Sequence, residues 1–191
     1  MAGKHGLAAV VLLILTGCST MKPEDFANTQ PRFALEDYFA GKTTAWGMFV
    51  DRFGKVRSQF VVDIDGTWDG KTLTLDERFT YATGEKDRRV WTITKQDTNT
   101  YTGTAGDVIG VARGRSFGNA LNWNYHMNLK VGSSTWKVHF DDWMFLQPQG
   151  VLLNRATVSK WGLELGQVQL AFRKADGRVA QDNVPQQQAA E

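Results

Sequence analysis

Between Lys42 and Phe172 the chain alternates apolar and polar residues over short runs, with Gly, Asp and Asn at the breaks. That period of two marks half-buried β-strands, and no long stretch carries the helical period. Only "PRFALEDYFAGK", residues 31–42, reads as a short helix, placed just ahead of the first strand. About eight to ten antiparallel strands joined by short turns predict an all-β, up-and-down antiparallel β-barrel, its short N-terminal helix acting as a lid or plug.

Tight turns fix which residues face each other across a hairpin. A turn at Gly132-Ser133 sets Leu129 against Trp136, Met127 against Val138, Tyr125 against Phe140 and Leu121 against Met144, a dry side. The other side pairs Asn128 with Lys137, His126 with His139 and Asn124 with Asp141. Asp142 falls on the dry side, opposite Trp123. Closing "QPQG" with Leu146 opposite Val151 brings Arg155 to face Asp142, which predicts an interior ion pair. Continuing through "KWGL" sets Arg155 beside Val168, Leu153 beside Leu170 and Val151 beside Phe172.

A turn at Asp69-Gly70 faces Ile64 with Leu75, Val62 with Glu77 and Phe60 with Phe79, so Glu77 also points inward. Whether Arg89 meets it depends on the turn through "TGEKD". Gly103, Ala105, Gly110, Ala112 and Gly114 fall at alternate positions in the next strands. Such small residues either leave room opposite the bulky 121–131 strand or relieve crowding where a closed sheet bends.

The amino terminus changes the picture of where this barrel resides. "MAGKHGLAAVVLLILTG" has a basic start and an uncharged run from Leu7 to Leu15, the layout of a signal peptide spanning residues 1–17. Leu15-Thr16-Gly17-Cys18 resembles the lipobox of bacterial lipoproteins, which implies acyl chains, palmitate among them, on Cys18. Two or more acyl chains anchor a protein stably where one does not. Cys18 is the single cysteine of the 191 residues, so no intrachain disulfide competes for the thiol. Ser19, where Asp would signal inner-membrane retention, favours the outer membrane, with the protein facing the periplasm. Residues 18–32 read as a lipidated linker, 33–173 as the barrel and 174–191, poor in large apolar residues, as a disordered tail.

The stretch from "DYFAGKTTAWGMFVDRFGKV" through "GTWDGKTLTLDERF", "TAGDVIGVA" and "HFDDWMFLQ" to "NRATVSKWG" resembles an uncharacterised family of bacterial lipocalin-like lipoproteins. That resemblance implies a lipocalin or calycin-like barrel and a lipoprotein anchor, and it brings no catalytic residues with it.

The formal net charge is only +2, and Lys and Arg are scattered, so nucleic acid is not an expected partner. No cofactor is expected either, because Walker and dinucleotide fingerprints are missing and "GVARGRSFGN" lacks the strand-to-helix context of a phosphate loop. His126 and His139 face each other near Asp141, but two exposed imidazoles without a third fixed ligand read as surface, so no metal is expected. No G-x-S-x-G elbow points to a hydrolase. The candidate ligand-binding residues are Glu77, Trp123, Tyr125, Asp142 and Arg155.

Three functions fit these features. The first is a membrane-anchored barrel that binds an apolar or amphiphilic, lipid-like molecule. The second is an enzyme that modifies such a lipid, with Glu77 or Asp142 as acid or base. In the third, an envelope scaffold, Trp143 and Phe145 project from the wet side of their strand as a contact surface. Trp46, Trp68 and Trp161 read as closures of the barrel ends.

Overall fold

A computed structural model describes residues 21–175. Residues 1–17, read above as a signal peptide, together with Cys18, Ser19 and all but the start of the expected tail, lie outside the described residues. Ten antiparallel strands close on themselves: β1 (Gly41–Asp51), β2 (Val56–Trp68), β3 (Thr72–Tyr81), β4 (Lys86–Lys95), β5 (Thr100–Thr104), β6 (Val108–Phe117), β7 (Ala120–Val131), β8 (Ser134–Leu146), β9 (Leu152–Lys160) and β10 (Leu163–Lys174). Each strand pairs with its sequence neighbours, and β1 pairs with β10, for example Ala45 with Phe172. This is the predicted up-and-down barrel, and closure removes the sheet edges that would otherwise template aggregation.

The expected plug is α1 (Leu35–Phe39), which closes one end. Phe33, Leu35, Tyr38 and Phe39 are buried there, and Phe39 packs edge-on against Phe172 with ring centroids 5.6 Å apart. The plug is also pinned by polar contacts. Glu36 accepts hydrogen bonds from the Lys95 Nζ and, at 2.9 Å, the Tyr101 hydroxyl. Burial pushes the Glu36 carboxyl up, but those donors outweigh it and hold its pKa below the ordinary value. The Tyr38 hydroxyl reaches the Gly150 carbonyl at 3.0 Å, and Ser116 donates to the Phe33 carbonyl at 2.6 Å.

Gly66 lies directly beneath this plug: a Cβ there would stand 1.8 Å from the Phe39 carbonyl oxygen. Backbone cannot swing aside as a side chain can, so Gly66→Ala should destabilise the protein by about 1–3 kcal/mol, as overpacking does. Hydrogen exchange at residues 35–39 should accelerate with it. Unchanged exchange there would show that the plug accommodates the methyl group.

The β7–β8 register is the predicted one throughout, including Trp123 opposite Asp142 and His126 opposite His139. The β8–β9 register is not. Leu146 pairs with Leu152, and Asp142 therefore faces Ala156, while Arg155 sits opposite Trp143 and points outward into solvent. The connection Pro148–Gly150 is a helical turn with Gln149 at φ 64°, and it holds one residue more than the four-residue loop that the sequence reading assumed. A one-residue slip sends every side chain to the opposite face, so the predicted Asp142 and Arg155 pair does not form and Leu153 is exposed. Beyond it, the tight turn at Trp161-Gly162 is as expected, but a bulge between Glu164 and Gly166 shifts β10, so Val168 faces Ala156 and Leu170 faces Asn154. In β2–β3 the loop is longer than two residues and Ile64 faces Glu77, a slip of two that keeps Glu77 inside.

Two further expectations change. Trp143, far from lying open as a contact surface, is buried under Pro23–Phe26, a short helical turn that leads into the barrel. Phe26 packs 6.1 Å from Trp143 and 5.3 Å from Phe145. The alternating small residues do not leave empty space near β7. Cβ atoms at Gly103 and Gly114 would stand 2.7 and 2.1 Å from the Trp123 indole, so these glycines accommodate that ring. Gly110 is not part of the inward set, because it is exposed at φ 73° within an irregularity between Ile109 and Arg113.

Candidate functional site

The barrel encloses a cavity of about 440 Å³. Leu35 and Phe39 of the plug form its floor, and Phe49, Phe60, Tyr81 and Val131 stand toward the opposite end, where the β1–β2, β3–β4 and β7–β8 hairpins turn. Most of the wall is apolar, as alternation along each strand requires, with Val62, Ile64, Leu75, Met127, Phe140 and Val158 among the lining residues.

A band of polar groups interrupts that wall. Glu77 on β3 and Arg89 on β4 are direct cross-strand neighbours, and both side chains point inward. Arg89 is held from outside the strand pair: its Nε and Nη2 donate to the Asp107 carboxylate at 2.8–3.1 Å from the β5–β6 connection. Its remaining Nη1 stands 3.8 Å from Glu77 Oε2, beyond hydrogen-bond distance. Its guanidinium also lies over the Phe79 ring at 5.5 Å. Burial works against the charge on Arg89, but Glu77 and Asp107 outweigh it and raise its pKa, so it stays a cation.

Across the cavity, Tyr125 stacks on Phe140 with centroids 5.1 Å apart and meets Trp91 edge-on at 5.3 Å. Those contacts fix the ring and leave its hydroxyl to the interior. Asp142, only 7% exposed, accepts a hydrogen bond from the Asn154 side-chain amide, which also donates to the Trp143 carbonyl at 3.0 Å. The interior carboxylate is therefore met by an amide two residues along β9 from its partner Ala156, and no guanidinium is needed beside it.

Burial is the dominant influence on both interior carboxyls. It pushes Glu77 up to about 7, against the opposing pull of Arg89. It likewise pushes Asp142 up to about 7, against the Asn154 hydrogen bond and with added repulsion from Asp141 and Glu77. Burial and the nearby Asp142 raise Tyr125 well above its ordinary value, so its hydroxyl keeps its proton. No hydrogen bond joins the Glu77 carboxyl or the Tyr125 hydroxyl to another group among the described residues, and both face the cavity. They are free to bind something else.

Of the predicted site residues, the fold brings Glu77, Trp123, Tyr125 and Asp142 to the cavity wall and leaves Arg155 on the outer surface. Sequence reasoning missed Asn154 and the full role of Arg89 with Asp107. Arg89 follows directly from Glu77 once the β3–β4 register is known; Asn154 follows from Asp142 only when the β8–β9 loop is counted correctly. His126 and His139 do face each other on the outer side, their rings tilted at 48° with centroids 4.9 Å apart, and His139 Nε2 lies 2.7 Å from Asn124 Oδ1. Among the described residues no third ligand joins them. Trp46 and Trp161 are largely exposed and close nothing, while Trp68 packs against the core.

The architecture is thus a closed ten-stranded antiparallel barrel, consistent with a lipocalin-like fold, whose interior keeps a cavity with a polar band. The chain belongs to the DUF3833 family, described as proteins of unknown function, whose model matches residues 12–174 and so spans the whole barrel. A comparison with curated proteins found no match.

Proposed function

We propose that the protein is a lipid-anchored, periplasm-facing barrel of the outer membrane that binds one apolar or amphiphilic, lipid-like molecule in its interior. The observation that carries this reading is the cavity: its volume falls within the roughly 300–1,000 Å³ of small-molecule sites, and its apolar wall is broken by a few convergent polar groups. The anchor rests on the resemblance of Leu15–Cys18 to a lipobox, and the outer-membrane address on Ser19.

The polar band favours a particular kind of head group. Glu77 and Asp142 face the cavity; among the described residues the cations that line it are Arg89, whose Nε and Nη2 are engaged by Asp107 and whose Nη1 lies beside Glu77, and Lys130 at the mouth. Carboxyls outnumber free cations there, so a head group that donates hydrogen bonds, such as a hydroxyl, suits the site better than an anion.

Titration with a fluorescent long-chain probe bearing a hydroxyl head should therefore saturate. The same probe ending in a carboxylate should bind more weakly at pH 8, and the difference should narrow below pH 7 as Glu77 and Asp142 take up protons. Native mass spectrometry and solvent extraction of protein purified from its own periplasm should release one neutral amphiphile. No saturable binding of either probe, together with an empty extract, would sink this reading.

The two carboxyls near 7 also favour a second reading, an enzyme that modifies such a lipid, because general acids and bases work best when poised near the operating pH. A Glu77→Gln, Asp142→Asn variant that folds but leaves cellular lipid composition unchanged would remove the reason for proposing chemistry. The scaffold reading has lost its feature, since the chain itself covers Trp143.

A further inference from the structure

The end of the barrel opposite the plug carries apolar side chains that no part of the described chain covers. Phe53 at the β1–β2 tip is 73% exposed and Trp161 at the β9–β10 tip is 89% exposed, with Val56 and Leu163 beside them and Val131 at the β7–β8 tip. Because β1 pairs with β10 and β9 with β8, these three tips are neighbours around the mouth. The Arg52 amide, which donates to the Leu165 carbonyl at 3.0 Å, ties two of them together.

The same sector is net basic: of its carboxylates, Asp51 is paired with Arg57, and Glu164 is the other. Arg52, Lys55, Lys130 and Lys160 have no carboxylate within ion-pair distance among the described residues. Arg52 lies over the Phe53 ring at 4.8 Å, and the Lys160 ammonium lies 4.5 Å from the centre of Trp161. Each pairs an apolar tip with an adjacent cation. The remaining two tips carry none of the large exposed hydrophobics, and Lys86 and Arg88 there are offset by Glu85, Asp87 and Asp107, so the apolar and net basic character falls on one side of the mouth.

Three separate projections of this composition suit a fluid surface. Each can enter a headgroup layer independently, whereas a stable protein interface needs one continuous complementary patch. Trp is favoured at the membrane interface, and unpartnered cations are drawn to anionic lipid. We propose that the β1–β2, β7–β8 and β9–β10 tips dock the barrel mouth on an anionic phospholipid surface, so that an amphiphile passes between bilayer and cavity without crossing bulk water. The passage rests on the reading of the cavity given above; the docking does not. The docking does not rest on the anchor: the described chain begins beside the β6–β7 turn, at the plugged end and three residues after Cys18, so a docked mouth and an acylated Cys18 would engage two different bilayers.

The test uses the chain from residue 18 onward with Cys18→Ser, which carries no acyl group and includes every strand and the plug. Co-sedimentation with phosphatidylglycerol-containing vesicles should exceed that with pure phosphatidylcholine and weaken with salt. Lys130→Gln with Lys160→Gln should weaken binding roughly 25-fold, at about fivefold per charge. Phe53→Ser with Trp161→Asn should weaken it at least about tenfold; asparagine tolerates the positive φ of 54° at that turn. Val111→Ser, on the exposed outer wall of β6, should change nothing. Equal binding to both vesicle types, or rim variants that bind like the parent, would overturn the proposal. So would no binding to either vesicle, which would leave the rim to a protein contact. Titrating the Phe53, Trp161 variant with the hydroxyl-headed probe separates the two ideas. Saturation alongside lost docking supports both, whereas docking without any probe binding would remove the cavity reading alone.

Discussion

Replacing Asp142 with asparagine should stabilise the protein at pH 8 by as much as about 4 kcal/mol and change little near pH 4. The Asp142 carboxyl titrates at 3.8 in an unperturbed setting and at about 7 in the fold, chiefly because it is buried. Between those values the folded state holds a proton that the unfolded chain has released, so stability falls as pH rises through the window and levels off above it. An amide in its place carries no charge to desolvate, and its oxygen can still accept from Asn154. Urea denaturation at pH 4, 6 and 8 measures the difference, and an equal effect at all three would mean that Asp142 is not the buried carboxylate described here. Glu77 should add a parallel, smaller dependence over the window from 4.5 to about 7. A chain that keeps two such costly groups around a cavity has them where a ligand could use them, and stabilising substitutions at such sites commonly cost function.

How far this site could be read from sequence depended on the parity of each loop. Gly132-Ser133 closes a two-residue turn whose geometry leaves no freedom, so Trp123, Tyr125 and Asp142 were placed correctly from spacing alone. In β2–β3 the loop at Asp69-Gly70 is longer than its signal implies, yet the slip is even, and Glu77 kept its face while changing its partner from Val62 to Ile64. Pro148–Gly150 produced an odd slip, and that single residue exchanged Arg155 for Asn154 inside the barrel. The bulge at Glu164 to Gly166 has no strong residue signal, although Gly166 at φ 159° lies against the Val50 carbonyl where a Cβ would clash. Alternation reveals which strands have two faces; it does not count the residues in irregular loops. The mouth and its basic apolar tips were legible only after the strand order showed which hairpins are neighbours.

Arg89→Met should be the most disruptive single change in the polar band, costing about 1–3 kcal/mol at pH 8, less than stranding a fully buried charge because Arg89, Glu77 and Asp107 keep 23%, 15% and 33% of their side chains exposed. Methionine preserves much of the packing of the arginine stem, so the loss reports the guanidinium. Two carboxylates would lose their cation together: Asp107, which now accepts two Nε and Nη2 donors, and Glu77, 3.8 Å away. Protonation of Glu77 relieves its stranded charge, and without the lowering pull of Arg89 its carboxyl rises above the value of about 7 that it has in the parent, so the penalty should already shrink as pH falls toward 7. Adding Glu77→Gln and Asp107→Asn to the same chain should recover most of the stability, because a band with no charges has nothing left to strand. If the triple variant remains as unstable as Arg89→Met, the guanidinium acts through packing against Phe79 and the ionic account of this site fails. If it recovers, the restored fold becomes the background in which the hydroxyl-headed probe separates ligand binding from structural support.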